Sequence, residues 1–244
     1  MLDTVSLGDC LDLIYKLPHK SVDLIFTDPP YNICTDRTKM TAVHGIPTSN
    51  QDAWGDDFTD SYTDEEYSDF MSSLCDAYDY VLKDDGSIIT FFDKNKPQFL
   101  SPFYDRFTIR NTFAFIKTNP PNHFRMNNYR SGFEQCAWFS REKYRINFIS
   151  QSGMINVFYG QTNYRVAGHP TEKLPWMVEP LILRHTNEGD TVLDPMCGSG
   201  TMLVYAKKHR RQYIGFDIEP KYVDMSLQRL ADTHVTRDIR GAFR

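Results

Sequence analysis

Along the chain, short apolar runs alternate with stretches whose apolar residues recur every three or four positions. Val22 to Thr27 is one such run, holding a single acid and bounded by Pro18 and Pro29; it reads as a parallel strand buried on both faces. Ser87 to Phe92, Thr191 to Asp194 and Gln212 to Asp217 read the same way. Phe107 to Lys117 and Phe133 to Phe139 are longer, aromatic and partly alternating, which suits an antiparallel pair. Helical stripes lie between the runs. Tyr67, Phe70, Met71, Leu74, Tyr78 and Val81 form one. Leu174, Met177, Val178, Leu181 and Ile182 form a second, which Pro180 should kink or restart. Val223, Leu227 and Leu230 form a third behind a first-turn proline, Pro220, and Thr201 to His209 reads as a further helix. Strands alternating with helices of this length predict an α/β fold, a mostly parallel sheet with helices on both faces. Residues 33–63, 118–132 and 141–169 read as long loops, and loops of that length in a compact domain usually carry function.

With 244 residues the chain has room for one well-filled core, so residues 1–244 are expected to form a single domain. No run is long enough to span a membrane, and Met-Leu-Asp-Thr-Val at the start lacks a basic region followed by an apolar one. A cytoplasmic protein without membrane contact is the expectation. The five cysteines (Cys10, Cys34, Cys75, Cys136, Cys197) include no Cys-x-x-Cys pair, which predicts reduced thiols and no metal site.

The net charge of −5 argues mildly against a nucleic-acid partner, but its distribution changes the picture. Residues 51–85 hold twelve acids against Lys83 alone. Residues 106–145 hold eight Lys and Arg against Glu134 and Glu142. A basic middle beside an acidic flank is compatible with a phosphate-binding face, or with a solvated surface whose charges cluster by chance.

Two turns carry candidate chemistry. Asp194-Pro-Met-Cys-Gly-Ser-Gly-Thr201 ends one strand and opens a helix, with Gly198 and Gly200 free to let the backbone approach a ligand. Asp217, nineteen residues after Gly198, ends the next strand, where a carboxylate can accept from both ribose hydroxyls. This unit reads as a nucleoside-binding βαβ. It lacks the third glycine of a dinucleotide fingerprint and the Lys of a P-loop. The second turn, Asp28-Pro-Pro-Tyr31, follows the first strand. Its acid, its proline carbonyl without a ladder partner and its flat ring suit a planar heterocycle bearing an amino group. Taken alone, it could equally be a stiff turn with an aromatic plug.

Together the turns resemble those of the amino-methyltransferases of DNA, in the circularly permuted order called the beta group. Leu7-Gly-Asp9, Leu82 to Phe92, Gly132-Phe-Glu-Gln-Cys-Ala-Trp-Phe139 and His169-Pro-Thr-Glu-Lys173 resemble further motifs of that family in consistent order. The resemblance implies a Rossmann-like methyltransferase fold of about seven strands and S-adenosylmethionine as cofactor. It implies Asp28, Pro29, Pro30 and Tyr31 as catalytic residues acting on a flipped-out base of double-stranded DNA. Its cofactor-binding residues would be Asp9, Cys10, Asp28, His169, Lys173, Asp194, Pro195, Met196, Gly198, Ser199, Gly200, Thr201, Asp217 and Ile218. Met196 stands where the family usually has Phe. Asp in the first position of the Pro-Pro-Tyr motif favours the N6 amino group of adenine, since cytosine-N4 relatives more often carry Ser. RNA and protein-amide methyltransferases with related motifs resemble the unpermuted order with Asn first, and a catalytically inactive cofactor-binding subunit is countered by the intact Asp28 to Tyr31. DNA contacts are expected from Lys117, Arg125, Asn127, Arg130 and Arg141 and from the three long loops. A homodimer and a cognate restriction endonuclease stay open as further partners.

Overall fold

The computed structural model describes residues 2–32, 62–120, 129–162 and 172–236. The sites expected at His169, Arg125, Asn127 and most of the 33–63 loop lie outside these residues.

Among the described residues, eight strands form one sheet. They are β1 (Thr4–Leu7), β2 (Val22–Thr27), β3 (Leu82–Phe91), β4 (Thr108–Lys117), β5 (Phe133–Ser140), β6 (Val157–Gly160), β7 (Thr191–Asp194) and β8 (Gln212–Asp217). Their order is β1-β8-β7-β2-β3-β5-β4-β6. Only β5 runs against its neighbours, pairing antiparallel with both β3 and β4; the other pairings are parallel. The expected antiparallel pair is thus present, and the sheet has one strand more than the resemblance implies. That extra strand is β6 at the sheet edge, inside the stretch 141–169 read as loop. It is four residues long and only half buried, so it leaves no periodic signal.

The helices are α1 (Cys10–Ile14), α2 (Asp64–Val81), α3 (Ser101–Arg106), α4 (Pro175–His185), α5 (Thr201–Lys208) and α6 (Pro220–Ala231). Alternation along the central strands, interrupted in β2 by the register shift between Val22 and Leu24, divides them between two cores. Val22, Ile25 and Ile88 turn toward α1, α2 and α3, where Tyr67, Met71, Leu74, Tyr78 and Val81 meet them. Leu24, Phe26 and Ile89 turn to the other face, against Met177, Val178, Leu181 and Ile182 of α4 and Met202 and Leu203 of α5. Every residue of β2 is buried, as a mostly apolar run predicts for a central parallel strand. Its one acid, Asp23, accepts from Thr191 N at 2.9 Å and pairs with Lys83 at 2.7 Å and with Arg145. These contacts satisfy a buried carboxylate at the end of the sheet where the parallel strands begin.

One expectation is narrowed and one needs correcting. α4 does not restart at Pro180, the sixth of its eleven residues; it continues as one helix, and burial of Leu181 and Ile182 on the sheet holds the turn beyond the proline. In α6 the buried side is Tyr222, Val223, Ser226 and Leu230, whereas Leu227 is exposed. Ser226 belongs to the stripe because the chain at Gly200 comes close: a Cβ at Gly200, whose φ is +75°, would lie 2.7 Å from Ser226 Oγ.

Candidate active site

The four adjacent strands β1, β8, β7 and β2 end in a row, and their carboxyl ends carry Leu7, Asp217, Asp194 and Thr27. The Asp28 and Gly198 turns therefore sit side by side at one edge of the sheet, where ligands of open α/β folds bind. Gly8 N donates to Asp217 O at 2.9 Å, which draws the Leu7-Gly-Asp9 turn into the same row. Asp9 caps α1 by accepting from Leu11 N at 2.8 Å, and Cys10 begins that helix with its thiol buried and pushed up to about 12.

In the glycine turn, Gly198 N donates to Asp217 Oδ2 at 2.8 Å and Glu219 N donates to Oδ1 at 2.9 Å. Each oxygen keeps lone-pair capacity for a further donor. Burial raises the Asp217 carboxyl above its ordinary range. Met196 and Gly198 are the partly exposed positions of this turn; Asp194, Pro195, Ser199, Gly200 and Thr201 are buried. The Ser199 carbonyl and the Thr201 hydroxyl are both engaged from α6. Arg229 of α6 donates to the Ser199 carbonyl at 2.5 Å and lies 3.2 Å from the Thr201 hydroxyl, and Ser226 Oγ donates to Gly198 O at 2.7 Å. Asp194 accepts weakly from Met196 N at 3.4 Å; burial, with Asp28 and Asp217 nearby, raises its carboxyl. Ile218 is 67% exposed beside Asp217, an apolar flank for a ring.

The Asp28 turn is held from several sides. Tyr67 of α2 donates its hydroxyl to the Pro30 carbonyl. Asn32 has φ +54°, a left-handed conformation that Asn tolerates, and its amide oxygen accepts from Tyr62 N at 2.9 Å. The Pro29 carbonyl accepts no hydrogen bond from a described residue. Tyr31 donates to Asp28 Oδ1 at 2.5 Å, and Lys173 lies 2.7 Å from Oδ2. Burial raises the Asp28 carboxyl, and Lys173 offsets part of that rise.

Lys173, expected at the cofactor, has its ammonium between Asp28 and Glu134, the latter at 3.0 Å, and over the Phe91 ring at 4.5 Å. Glu134 in turn pairs with Lys117 at 2.7 Å. Burial alone would raise Glu134, but Lys173 and Lys117 bring it down to about 2. Sequence reasoning missed Glu134, Tyr67 and Asn32. Glu134 is the lone charged residue of a largely apolar strand and stands at its site end, which is the one sequence signal it offers.

The expected DNA contacts divide between opposite ends of the sheet. Lys117 ends β4 on the side of Asp28, with Arg130 in the segment leading into β5. Arg141 is a correction. Ser140 pairs with Ser87 and Thr108 at the far end of the sheet, so Arg141 lies away from the site. Its guanidinium binds Asp79 at 2.6 Å and the carbonyls of Asp79, Leu82 and Lys83. Arg106, Arg110 and Arg145 share that far end, so much of the basic stretch is structural.

Among the described residues no group of three or more His, Cys, Asp or Glu is placed to hold a metal ion, and no helix is long and apolar enough to cross a membrane.

Comparison with known proteins agrees with this architecture. The DNA methylase family model for N6 and N4 enzymes matches residues 22–228. The chain is 29% identical to the type II methyltransferase M.HinfI of Haemophilus influenzae, over 95% of this chain and 69% of that one. It is 28% identical to M2.DpnII of Streptococcus pneumoniae, over 91% of this chain and 87% of that one. Among solved structures, the cytosine-N4-specific PvuII DNA methyltransferase superposes with a TM-score of 0.74 at 21% identity, covering 97% of this chain and 89% of that one. The M1.HpyAVI complex with S-adenosylmethionine superposes with a TM-score of 0.67 at 19% identity, covering 93% and 98%. With its site at the carboxyl ends of a permuted α/β sheet, this chain belongs to the DNA methylase family.

Proposed function

We propose that the protein transfers a methyl group from S-adenosylmethionine to the N6 amino group of adenine, flipped out of double-stranded DNA. The observation that carries this reading is the adjacency of two unlike turns. One is a glycine turn with a ribose-competent carboxylate; the other is a rigid Asp-Pro-Pro-Tyr turn whose Pro29 carbonyl accepts from no described residue. The residues fit the cofactor: Asp217 has spare acceptor capacity, and Gly198 has φ +50° with no side chain to block approach. When bound, S-adenosylmethionine supplies an electrophilic methyl on a positive sulfur.

The chain's own residues do the rest. An exocyclic amino group is a poor nucleophile because its lone pair is conjugated into the ring. Accepting its two hydrogens at Asp28 and the Pro29 carbonyl favours tetrahedral nitrogen and aims the lone pair. Asp28 or solvent takes the proton released as the nitrogen–carbon bond forms. Tyr31 supplies a ring against which the extruded base stacks, offsetting part of an unstacking cost of a few kcal/mol. Adenine is preferred over cytosine because Asp28 stands first in the motif; the fold shared with a cytosine-N4 enzyme is what supports the second reading. Expression in a methylation-free bacterium, followed by long-read mapping of modified bases, tests the choice. Modified adenine within one recurring sequence supports the proposal, and modified cytosine moves the assignment to N4.

A further inference from the structure

We infer that Lys173 is a positioning residue for the base-binding carboxylate, with Glu134 and Lys117 holding it in place, and not a ligand of the cofactor. The inference rests on Asp28 being the acceptor of the substrate amino group.

The segment before α4 works as a two-sided brace. Glu172 and Lys173 are both buried and reach opposite neighbours. Glu172 pairs with Arg229 at 2.8 Å, and Arg229 donates to the carbonyl of Ser199 in the glycine turn. Lys173 pairs with Asp28 at 2.7 Å in the other turn. One dipeptide thus ties the two motif turns together.

On its own side, Lys173 completes a row of alternating charge, Asp28–Lys173–Glu134–Lys117, with contacts of 2.7, 3.0 and 2.7 Å. The row is drawn from the β2 turn, the segment before α4, β5 and β4, elements widely separated along the chain. The Lys173 side chain is 8% exposed, so most of the hydration of its ammonium is replaced by these partners. Asp28 alone in such a site would favour its neutral form, and a neutral carboxyl would donate a proton to the incoming amino group where an acceptor is needed. Lys173 keeps the carboxylate charged and fixes Oδ2, leaving Oδ1 as the oxygen that exchanges Tyr31 for the substrate. Glu134 fixes the ammonium at a cost, because its own negative charge acts against ionisation of Asp28. The charged and titratable groups facing Asp28 are Tyr31 from its own turn, Lys173, Glu134 and the buried Cys136 thiol from β5 with Lys117 behind Glu134, and Asp194 from β7. Substitutions at Lys173 and Glu134 should consequently move the acid side of the rate profile in opposite directions.

The test measures initial transfer of labelled methyl from S-adenosylmethionine to genomic DNA of a methylation-free bacterium, at subsaturating DNA from pH 5 to 9. Lys173→Met should move the acid limb up by about one pH unit or more, the scale of removing an opposite charge in contact. Glu134→Gln should move it down, and Lys173→Arg should bring it back toward the wild-type position. Isothermal titration with S-adenosylmethionine should show cofactor affinity within about threefold of wild type for Lys173→Met, since a factor above that is a contact worth more than a few tenths of a kcal/mol. A fixed acid limb together with lost cofactor affinity in Lys173→Met would overturn the inference and return Lys173 to the cofactor. If Lys173→Met does not fold, Glu134→Gln decides, and an unmoved limb there overturns it equally. Transfer to cytosine with both shifts present would support the inference while refuting adenine. A wild-type protein that methylates no DNA would refute the role of Asp28 and the inference with it.

Discussion

At the scale of single residues, the site divides labour between two carboxylates. Asp28 lies at the stiff turn among Tyr31, Lys173 and Glu134, whereas Asp217 lies two strands away, holding Gly198 N and Glu219 N. Asp28→Ala is expected to bind S-adenosylmethionine about as well as wild type while losing transfer, because Asp28 is proposed to face the base. Asp217→Ala should weaken cofactor binding by about 1–3 kcal/mol, since buried ribose hydroxyls would lose their acceptor. Calorimetric titration beside a methyl-transfer assay separates the two; equal loss of binding in both variants would contradict the division. Asp28 is visible in the sequence because it ends an apolar run before two prolines, and Asp217 because it ends an apolar run nineteen residues after Gly198. Glu134, Lys117 and Lys173 are not legible as a set. Their contacts join positions 17 to 145 residues apart, and no local pattern encodes which lysine meets which acid.

At the scale of elements, burial on both faces made β2, β7 and β8 readable, and the stripe of α2 was readable because eighteen residues repeat it. The five residues of α1, the six of α3 and the four of β6 are too short for any period to show. α4 carries a consequence for pH. Its last residue, His185, is buried edge-on to Trp138 at 4.6 Å, and its Nδ1 has no hydrogen-bond partner. Burial, with Arg184 adjacent, lowers the imidazole from 6.5 to about 3. The folded chain therefore holds His185 neutral while the unfolded chain protonates it below pH 6.5. Stability present above that pH should fall by about 1.4 kcal/mol per unit of acidification until pH 3 is approached. Denaturant unfolding from pH 7 to 4 should show a shallower decline for His185→Phe than for wild type. Identical slopes would mean that the imidazole is protonated in the folded chain.

At the scale of the whole molecule, the sheet separates a chemical end from a structural one. The basic stretch 106–145 reads as one patch in the sequence, but the antiparallel pairing of β4 with β5 carries its middle, Lys117 and Arg130, to the chemical end and both its flanks, Arg106 and Arg110 with Arg141 and Arg145, to the other. Arg141→Ala should leave DNA affinity unchanged and lower stability by about 1–3 kcal/mol, because Asp79 and three carbonyls lose a charged donor. Arg130→Ala, at the chemical end, should weaken binding on all sequences and reduce the salt slope by about one. Fluorescence anisotropy across a salt series reads both, and a loss of affinity in Arg141→Ala would place DNA across the far end.

The central claim is that this edge of the sheet methylates the amino group of adenine, with Asp28 as its acceptor. Its most direct measurement uses purified protein, S-adenosylmethionine and unmethylated genomic DNA, then digestion to nucleosides and mass spectrometry. The expected product is N6-methyladenine for wild type and none for Asp28→Ala. N4-methylcytosine in its place, or equal N6-methyladenine from Asp28→Ala, would contradict the claim.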